Sequence, residues 1–216
     1  METRKRVSLA RAQRLRGPLA AAFVCLLLGS SSFVSPARAE APPPPPSNEA
    51  APRGELFVAF SSALGTTDWR TDVTGYGGFA LGLRLFGVVT PFAEGRLGYG
   101  TVDQRLLTYL SLGVRAGFAA TDRVYPRAHV GFVHQHEESM ASVAEEPLGA
   151  VVGIGPGIRH RAGMQFGLGC DFTLVRRPKF TLALGPELVG AYLGYSSGPN
   201  LYGFLGANLG AHFALF

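Results

Sequence analysis

The sequence predicts an all-β protein, an antiparallel up-and-down β-barrel that spans a membrane. Segment after segment alternates with a period of two, as strands do. The positions between the apolar residues hold mostly glycine with isolated charges, whereas the polar face of a soluble sheet would normally carry Thr, Ser, Lys or Glu. Glycine and few charges are typical of the crowded interior of a small barrel whose apolar outside meets lipid.

The alternation is clearest between Thr74 and Val102. Large apolar residues occupy every second position from Phe79 to Leu85, and glycine, alanine or arginine stands between them. The pattern resumes after a short connection, with Glu94 and Arg96 on the non-apolar face. This stretch therefore predicts two neighbouring strands.

Nine segments of this kind follow the Pro-rich region of the chain. They cover residues 54–64, 75–86, 90–101, 106–118, 123–134, 147–159, 163–175, 179–194 and 200–216. Bacterial single-chain barrels have an even number of strands, so we expect eight, with 55–64 or part of 179–216 wrongly assigned. Ten strands are the alternative.

The connections predict the orientation of the barrel. The longer ones, 65–74 and 135–146, fall on one side, and short ones such as 87–89 and 160–162 fall on the other. Long outer loops and short periplasmic turns are typical of membrane barrels.

The non-apolar face predicts a charge network inside the barrel. Uncompensated charges in a narrow interior are costly, so we expect these side chains to pair or to be hydrated. The predicted interior set is Arg84, Glu94, Arg96, Arg115, Arg127, His129, Arg159, Asp171 and Glu187.

The first 39 residues predict a cleaved signal peptide. A basic region ends at Arg16, an apolar core of residues 18–29 follows, and Ala37-Arg38-Ala39 is a small-x-small cleavage site. The core is shorter than the ~20 residues that a spanning helix needs.

Residues 40–53 predict a periplasmic linker before a barrel at 54–216. They contain five consecutive prolines, which favour an extended chain.

The distribution of charge argues against a nucleic-acid partner. The net charge of +5 arises in the first 39 residues, which hold seven basic residues and one acid. The remaining residues have a net charge of −1, so they offer no basic surface.

Cleavage of the signal peptide would leave Cys170 as the only cysteine, which excludes an intramolecular disulfide.

Motifs that could carry chemistry are few, and we predict no catalytic residues, no cofactor and no metal. We interpret one group as a solvated acidic outer loop: His134, His136, Glu137, Glu138, Glu145 and Glu146. Two alternatives use the same segment, a Zn or Cu site at His134 and His136 with a carboxylate, and a hydrolase set of Ser139, His136 and Glu138. The glycines of 153–157 lack the strand-turn-helix context and the Lys-Ser/Thr of a phosphate loop, so we assign them to the barrel.

Together these features resemble the small outer-membrane β-barrel proteins of the OmpA/OmpX type, over residues 54–216. The signal peptide, the glycine-rich strands and the C-terminal Phe216 carry the resemblance, with tyrosines near strand ends at Tyr76, Tyr99, Tyr109, Tyr125, Tyr192 and Tyr202. It implies the outer membrane of a Gram-negative cell, contact with outer-membrane lipid, and Phe216 as the signal read by the barrel-assembly machinery. We expect a monomer.

The resulting expectation is a structural or interaction role, in which a rigid barrel displays extracellular loops. The sequence does not identify the extracellular ligand. Two alternatives are a narrow solute channel and a lipid-modifying enzyme with residues at the barrel rim. At the level of the fold, the alternative is a soluble periplasmic barrel with its apolar residues inside.

Overall fold

The computed structural model describes residues 54–68, 72–101, 104–155, 157–194 and 199–215. The predicted signal peptide, the predicted linker and Phe216 lie outside the described residues.

The described residues form a closed barrel of eight strands, which confirms the predicted fold class. Each strand pairs antiparallel with the next, and the last strand pairs with the first. The strands are β1 (Gly54–Thr67), β2 (Val73–Leu85), β3 (Val89–Gly100), β4 (Arg105–Gly117), β5 (Val124–Ser139), β6 (Arg159–Arg177), β7 (Phe180–Gly194) and β8 (Leu201–Ala214).

The apolar residues of the alternating pattern face outward. Phe79 is 62% exposed and Leu112 is 65% exposed, although both lie in the middle of their strands. Their neighbours Ala80 and Ser111 point inward and are buried. A soluble barrel with an apolar interior would show the reverse, so that alternative is wrong. The apolar band instead matches a barrel surrounded by lipid.

The segment 147–159 is not a strand except for its last residue, Arg159, which begins β6, and this explains the count of nine. It lies in the connection between β5 and β6, which contains two short helices, α1 (Met140–Glu145) and α2 (Pro147–Val152). Pro147 begins α2, and Gly153 ends it with a φ of 77°. Gly157 has a φ of 88°. Gly153 and Gly157 therefore both adopt a left-handed backbone conformation, which occurs in turns and does not fit a β-strand. We expected either 55–64 or part of 179–216 to be wrongly assigned, but residues 55–64 belong to β1 and residues 179–216 supply β7 and β8.

The ends of β5 and β6 also differ from the prediction. β5 continues to Ser139 and β6 begins at Arg159, so residues 160–162 lie within a strand and are not a turn. The short connection that follows β6 consists of residues 178–179, at the opposite end of this strand. The connections β1–β2 and β5–β6 lie at the same end of the barrel, here called the long-loop end.

No helix among the described residues is long and apolar enough to cross a membrane.

Candidate functional site in the barrel interior and at its long-loop end

An ion-pair group lies in the interior at the end opposite the long loops. The Arg84 guanidinium lies 3.3 Å from a Glu55 carboxylate oxygen, and His212 Nδ1 lies 3.5 Å from the same oxygen. Arg84 also stacks on the Tyr125 ring, with its guanidinium carbon 4.3 Å from the ring centroid. Arg84 was in the predicted interior set, whereas Glu55 and His212 were missed. They follow the same inward alternation on β1 and β8.

The middle of the barrel holds a connected charge network. Glu187 on β7 accepts from Arg96 on β3 at 2.7 Å and from Arg127 on β5 at 3.2 Å. Arg96 also pairs with Glu94 at 2.8 Å, and Arg127 pairs with Asp171 at 2.8 Å. All five residues are buried. Because β3 and β7 are four strands apart in a ring of eight, the Arg96–Glu187 pair crosses the whole width of the barrel.

Arg115 and His129 adjoin this network and pack against aromatic rings. The Arg115 guanidinium carbon lies 4.8 Å from the centroid of Phe57 and 5.3 Å from that of Phe92. His129 packs edge-on against Phe92, with ring centroids 5.6 Å apart. Arg115 interacts electrostatically with the three acids of the network. The middle of the barrel therefore holds three arginines, Arg96, Arg115 and Arg127, and three carboxylates.

An aromatic layer lies above the charges, toward the long-loop end. Tyr76, Tyr109 and Phe204 come from three different strands, and their ring centroids are 4.9 to 6.1 Å apart. Tyr109 donates its hydroxyl to Gln165 Oε1 at 2.6 Å, and Gln165 Nε2 donates to Ser111 Oγ at 2.6 Å. These contacts join the packed rings to a short chain of hydrogen bonds between β4 and β6.

A second buried ion pair follows at the long-loop end. Arg161 donates to Glu137 at 2.9 Å, and the Tyr202 hydroxyl donates to the same carboxylate at 2.9 Å. Gln135 Nε2 adds a third donor at 3.0 Å. Arg159, which belongs to the predicted set, lies 4.0 Å from Glu137, and its side chain stays 34% exposed. Sequence reasoning missed Arg161 because it placed a turn over residues 160–162.

The predicted acidic outer loop is wrong for most of its members. His134 to Glu138 lie on β5, where Glu137 points into the barrel, and His136 and Glu138 point outward. Both of these outward residues are nevertheless buried, at 7% and 1% exposure. The β5–β6 connection folds over them, since its residues line a cavity of about 210 Å³ together with Glu138 and its Gly153 lies against the His136 ring. Glu145 and Glu146 are exposed, as expected.

Three histidines meet on the outer face of β5 and β6. His136 is paired directly with His160 in the strand register, and His134 lies two residues away on the same face. His160 Nδ1 is 3.5 Å from His134 Nε2, and one ring nitrogen from each of the three lies within 4.8 Å of the others. The sequence placed two of these residues in one segment but gave no sign of His160.

The other candidates show no constellation for catalysis among the described residues. Ser139 Oγ lies 2.9 Å from Ser142 Oγ, and no described serine hydroxyl is hydrogen-bonded to a histidine ring. Cys170 is half-buried and lies on the outward face of β6, opposite Pro126.

The fold agrees with comparisons against solved structures. Neisserial surface protein A matches with a TM-score of 0.50 and 11% identity, over 75% of this chain and 97% of that one. Ail, the attachment invasion locus protein of Yersinia pestis, matches with a TM-score of 0.47 and 14% identity, over 74% of this chain and 96% of that one. The outer-membrane enzyme PagL matches with a TM-score of 0.45 and 12% identity, over 70% of this chain and 97% of that one.

These likenesses concern the fold alone. No protein-family model matches the sequence, and neither does any curated protein. The closed eight-stranded barrel and its outward apolar band fit a barrel that spans a membrane, because a closed barrel satisfies all its backbone groups in lipid. The predicted resemblance is confirmed at the level of the fold, and the outer-membrane location stays a prediction.

Proposed function

We propose that the protein is a closed scaffold of the outer membrane that displays its long-loop end to the cell exterior for interaction with other molecules. The observation that carries this proposal is the Arg96–Glu187 pair, which crosses the barrel at 2.7 Å. An eight-stranded interior is just wide enough for side chains to fill it. A filled lumen supports a scaffold and argues against the narrow solute channel.

The aromatic layer supports the same proposal independently. Tyr76, Tyr109 and Phe204 come from β2, β4 and β8 and meet near the barrel axis. Charge pairs below and packed rings above obstruct the lumen at two levels. Rearranging only one of the two layers would leave the other in place.

The first experiment measures permeability. We expect protein reconstituted in planar bilayers to give no conductance steps, and liposomes that contain it to stay impermeable to small sugars. Reproducible unitary steps from the purified wild-type chain would contradict a closed scaffold.

The second experiment tests which end faces outward. In a Cys170→Ala background, a cysteine at Glu145, in the β5–β6 connection, should react on intact cells with a membrane-impermeant maleimide. The matched control is a cysteine at Lys179, in the short connection between β6 and β7, which should react only after lysis. The opposite labelling pattern would mean that the long-loop end faces the periplasm.

A further inference from the structure

We propose that His134, His136 and His160 form a binding site for one divalent transition-metal ion, with Zn²⁺ as the reference ion, on the outer face of the barrel at its long-loop end. This site is separate from the charge network inside the barrel, and it does not depend on whether the loops bind a partner. Imidazole nitrogen is a ligand that suits Zn, Cu and Ni, whereas Mg and Ca prefer oxygen.

The strand geometry brings the three rings together. On a strand, residues two apart face the same side, so His134 and His136 are neighbours on β5. His160 is the direct partner of His136 on β6, and their ring centroids are 4.7 Å apart. Two rigid, paired strands thus set the positions of all three ligands.

The spacing of the nitrogens matches a tetrahedral site. With Zn–N bonds of ~2.0–2.1 Å, two nitrogens bound to one tetrahedral zinc are about 3.4 Å apart. His160 Nδ1 and His134 Nε2 are 3.5 Å apart, and one ring nitrogen from each of the three histidines lies within 4.8 Å of the others. Binding of one ion would bring the more distant nitrogens closer together, from at most 4.8 Å to about 3.4 Å. Three protein ligands leave a fourth position for water or another small ligand.

His136 carries a buried nitrogen that lacks a partner within the described part of the chain. The residue is only 7% exposed, and its Nδ1 has no hydrogen bond. Such atoms are uncommon in folded proteins, and one physical cause is a nitrogen placed to bind an ion. The backbone of Gly153 covers the ring so closely that a methyl group at residue 153 would overlap it.

A buried carboxylate stands beside the cluster. Glu138 lies two residues beyond His136 on the same outward face, and it interacts electrostatically with His160. It is 1% exposed, and neither carboxylate oxygen has a hydrogen-bond partner in the described residues. A negative charge here would attract a cation and help to orient the histidines, as carboxylates outside the ligand set commonly do.

The cluster lies just beyond the apolar band, where water and ions can reach it. Phe132 and Met164 are paired and exposed, and Met164 pairs with the exposed Tyr192 on β7. His134 and Ala162 form the next outward pair toward the long-loop end. Tyrosine marks the membrane interface in barrels, so the site lies at or above the level of the lipid headgroups.

The test uses the chain without a histidine tag, folded in detergent, with metal ions alone as the probe. We expect isothermal titration with Zn²⁺ to give one site per chain. Substitution of Co²⁺ should give the visible absorption of a four-coordinate ion. In the triple variant H134A/H136A/H160A, both signals should disappear. His129 and His212 remain in that variant and report any binding by histidines elsewhere.

Two further variants refine the test. Loss of a group outside the ligand set typically weakens metal affinity roughly 10–100-fold, and we expect Glu138→Gln to weaken Zn²⁺ binding by that amount. His160→Ala removes a ligand and should weaken Zn²⁺ binding by more. Leu168→Ala, on the same face of β6, is the matched control and should leave the affinity unchanged. Equal affinity in the wild type and His160→Ala would overturn the proposal. Absence of a four-coordinate Co²⁺ spectrum in the wild type would overturn it without any variant.

Discussion

Glu187 on β7 accepts hydrogen bonds from Arg96 on β3 and from Arg127 on β5, at 2.7 and 3.2 Å. One carboxylate therefore links three strands that are not neighbours in the barrel. The backbone ladder joins only adjacent strands, so these contacts fix the cross-section of the barrel from inside.

Replacing Glu187 with glutamine should destabilise the barrel strongly. Two buried guanidinium groups would lose a shared counter-charge, and breaking a buried ion pair typically costs about 3–5 kcal/mol. Urea unfolding in lipid vesicles measures the free energy of unfolding. The matched control is Glu145→Gln, an exposed glutamate, which should change it by less than about 0.5 kcal/mol. Similar losses in the two variants would show that the Glu187 pairs do not support the fold.

Tyr109→Phe tests the hydrogen bonds of the aromatic layer. The substitution keeps the ring but removes the hydroxyl that donates to Gln165 Oε1 at 2.6 Å. An unsatisfied buried acceptor costs about 1–3 kcal/mol, so the free energy of unfolding should fall by that amount. Tyr99 is 41% exposed near the end of β3, and Tyr99→Phe should have almost no effect. A neutral result at both positions would contradict the described contact.

Gly78 and Gly77 are adjacent glycines on opposite faces of β2. A methyl group at Gly78 would lie 2.7 Å from the Arg96 Cα, whereas a methyl at Gly77 has nothing within 4 Å. Gly78→Ala should therefore destabilise the barrel by about 1–3 kcal/mol through overpacking, and Gly77→Ala should be tolerated. Unfolding in vesicles measures both. If Gly77→Ala were the more harmful change, the assignment of faces on β2 would be reversed.

The predicted cleavage after Ala39 gives a prediction for the mature chain. Ala37-Arg38-Ala39 follows a short apolar core, so we expect the exported protein to begin at Glu40. Intact-protein mass spectrometry of the membrane fraction measures this directly. A mature mass that includes residues 1–39 would contradict the signal peptide.

The period of two was sufficient to predict most of the fold, because each strand is half lipid-facing and half lumen-facing. It failed at 147–159, where glycines alternate for another reason: Gly153 and Gly157 take positive φ values in a connection. Spacing alone cannot distinguish glycines that make room inside a barrel from glycines that make turns. Pro147, at the start of α2, was the signal available against a strand.

The candidate sites differ in how far the sequence predicts them. The alternation within a single segment was enough to predict that each of Arg96, Arg127 and Glu187 points inward, and all three are buried. The histidine cluster depends on the pairing of His136 with His160, which is a matter of the register between β5 and β6. No pattern within one segment contains that information. The spacing of His134 and His136 by two residues was the only local signal.

The central claim is that the apolar residues of the alternating pattern face lipid. It is tested most directly by the quenching of tryptophan fluorescence by lipids with brominated chains. Trp69, the single native tryptophan, is replaced by phenylalanine, and a new tryptophan is placed at Leu112, which is 65% exposed in the middle of β4. The matched position is Glu145, in the β5–β6 connection. We expect strong quenching of the tryptophan at residue 112 and little quenching of the one at residue 145. An unquenched tryptophan at residue 112 in folded protein would contradict a membrane-spanning barrel with this outer face.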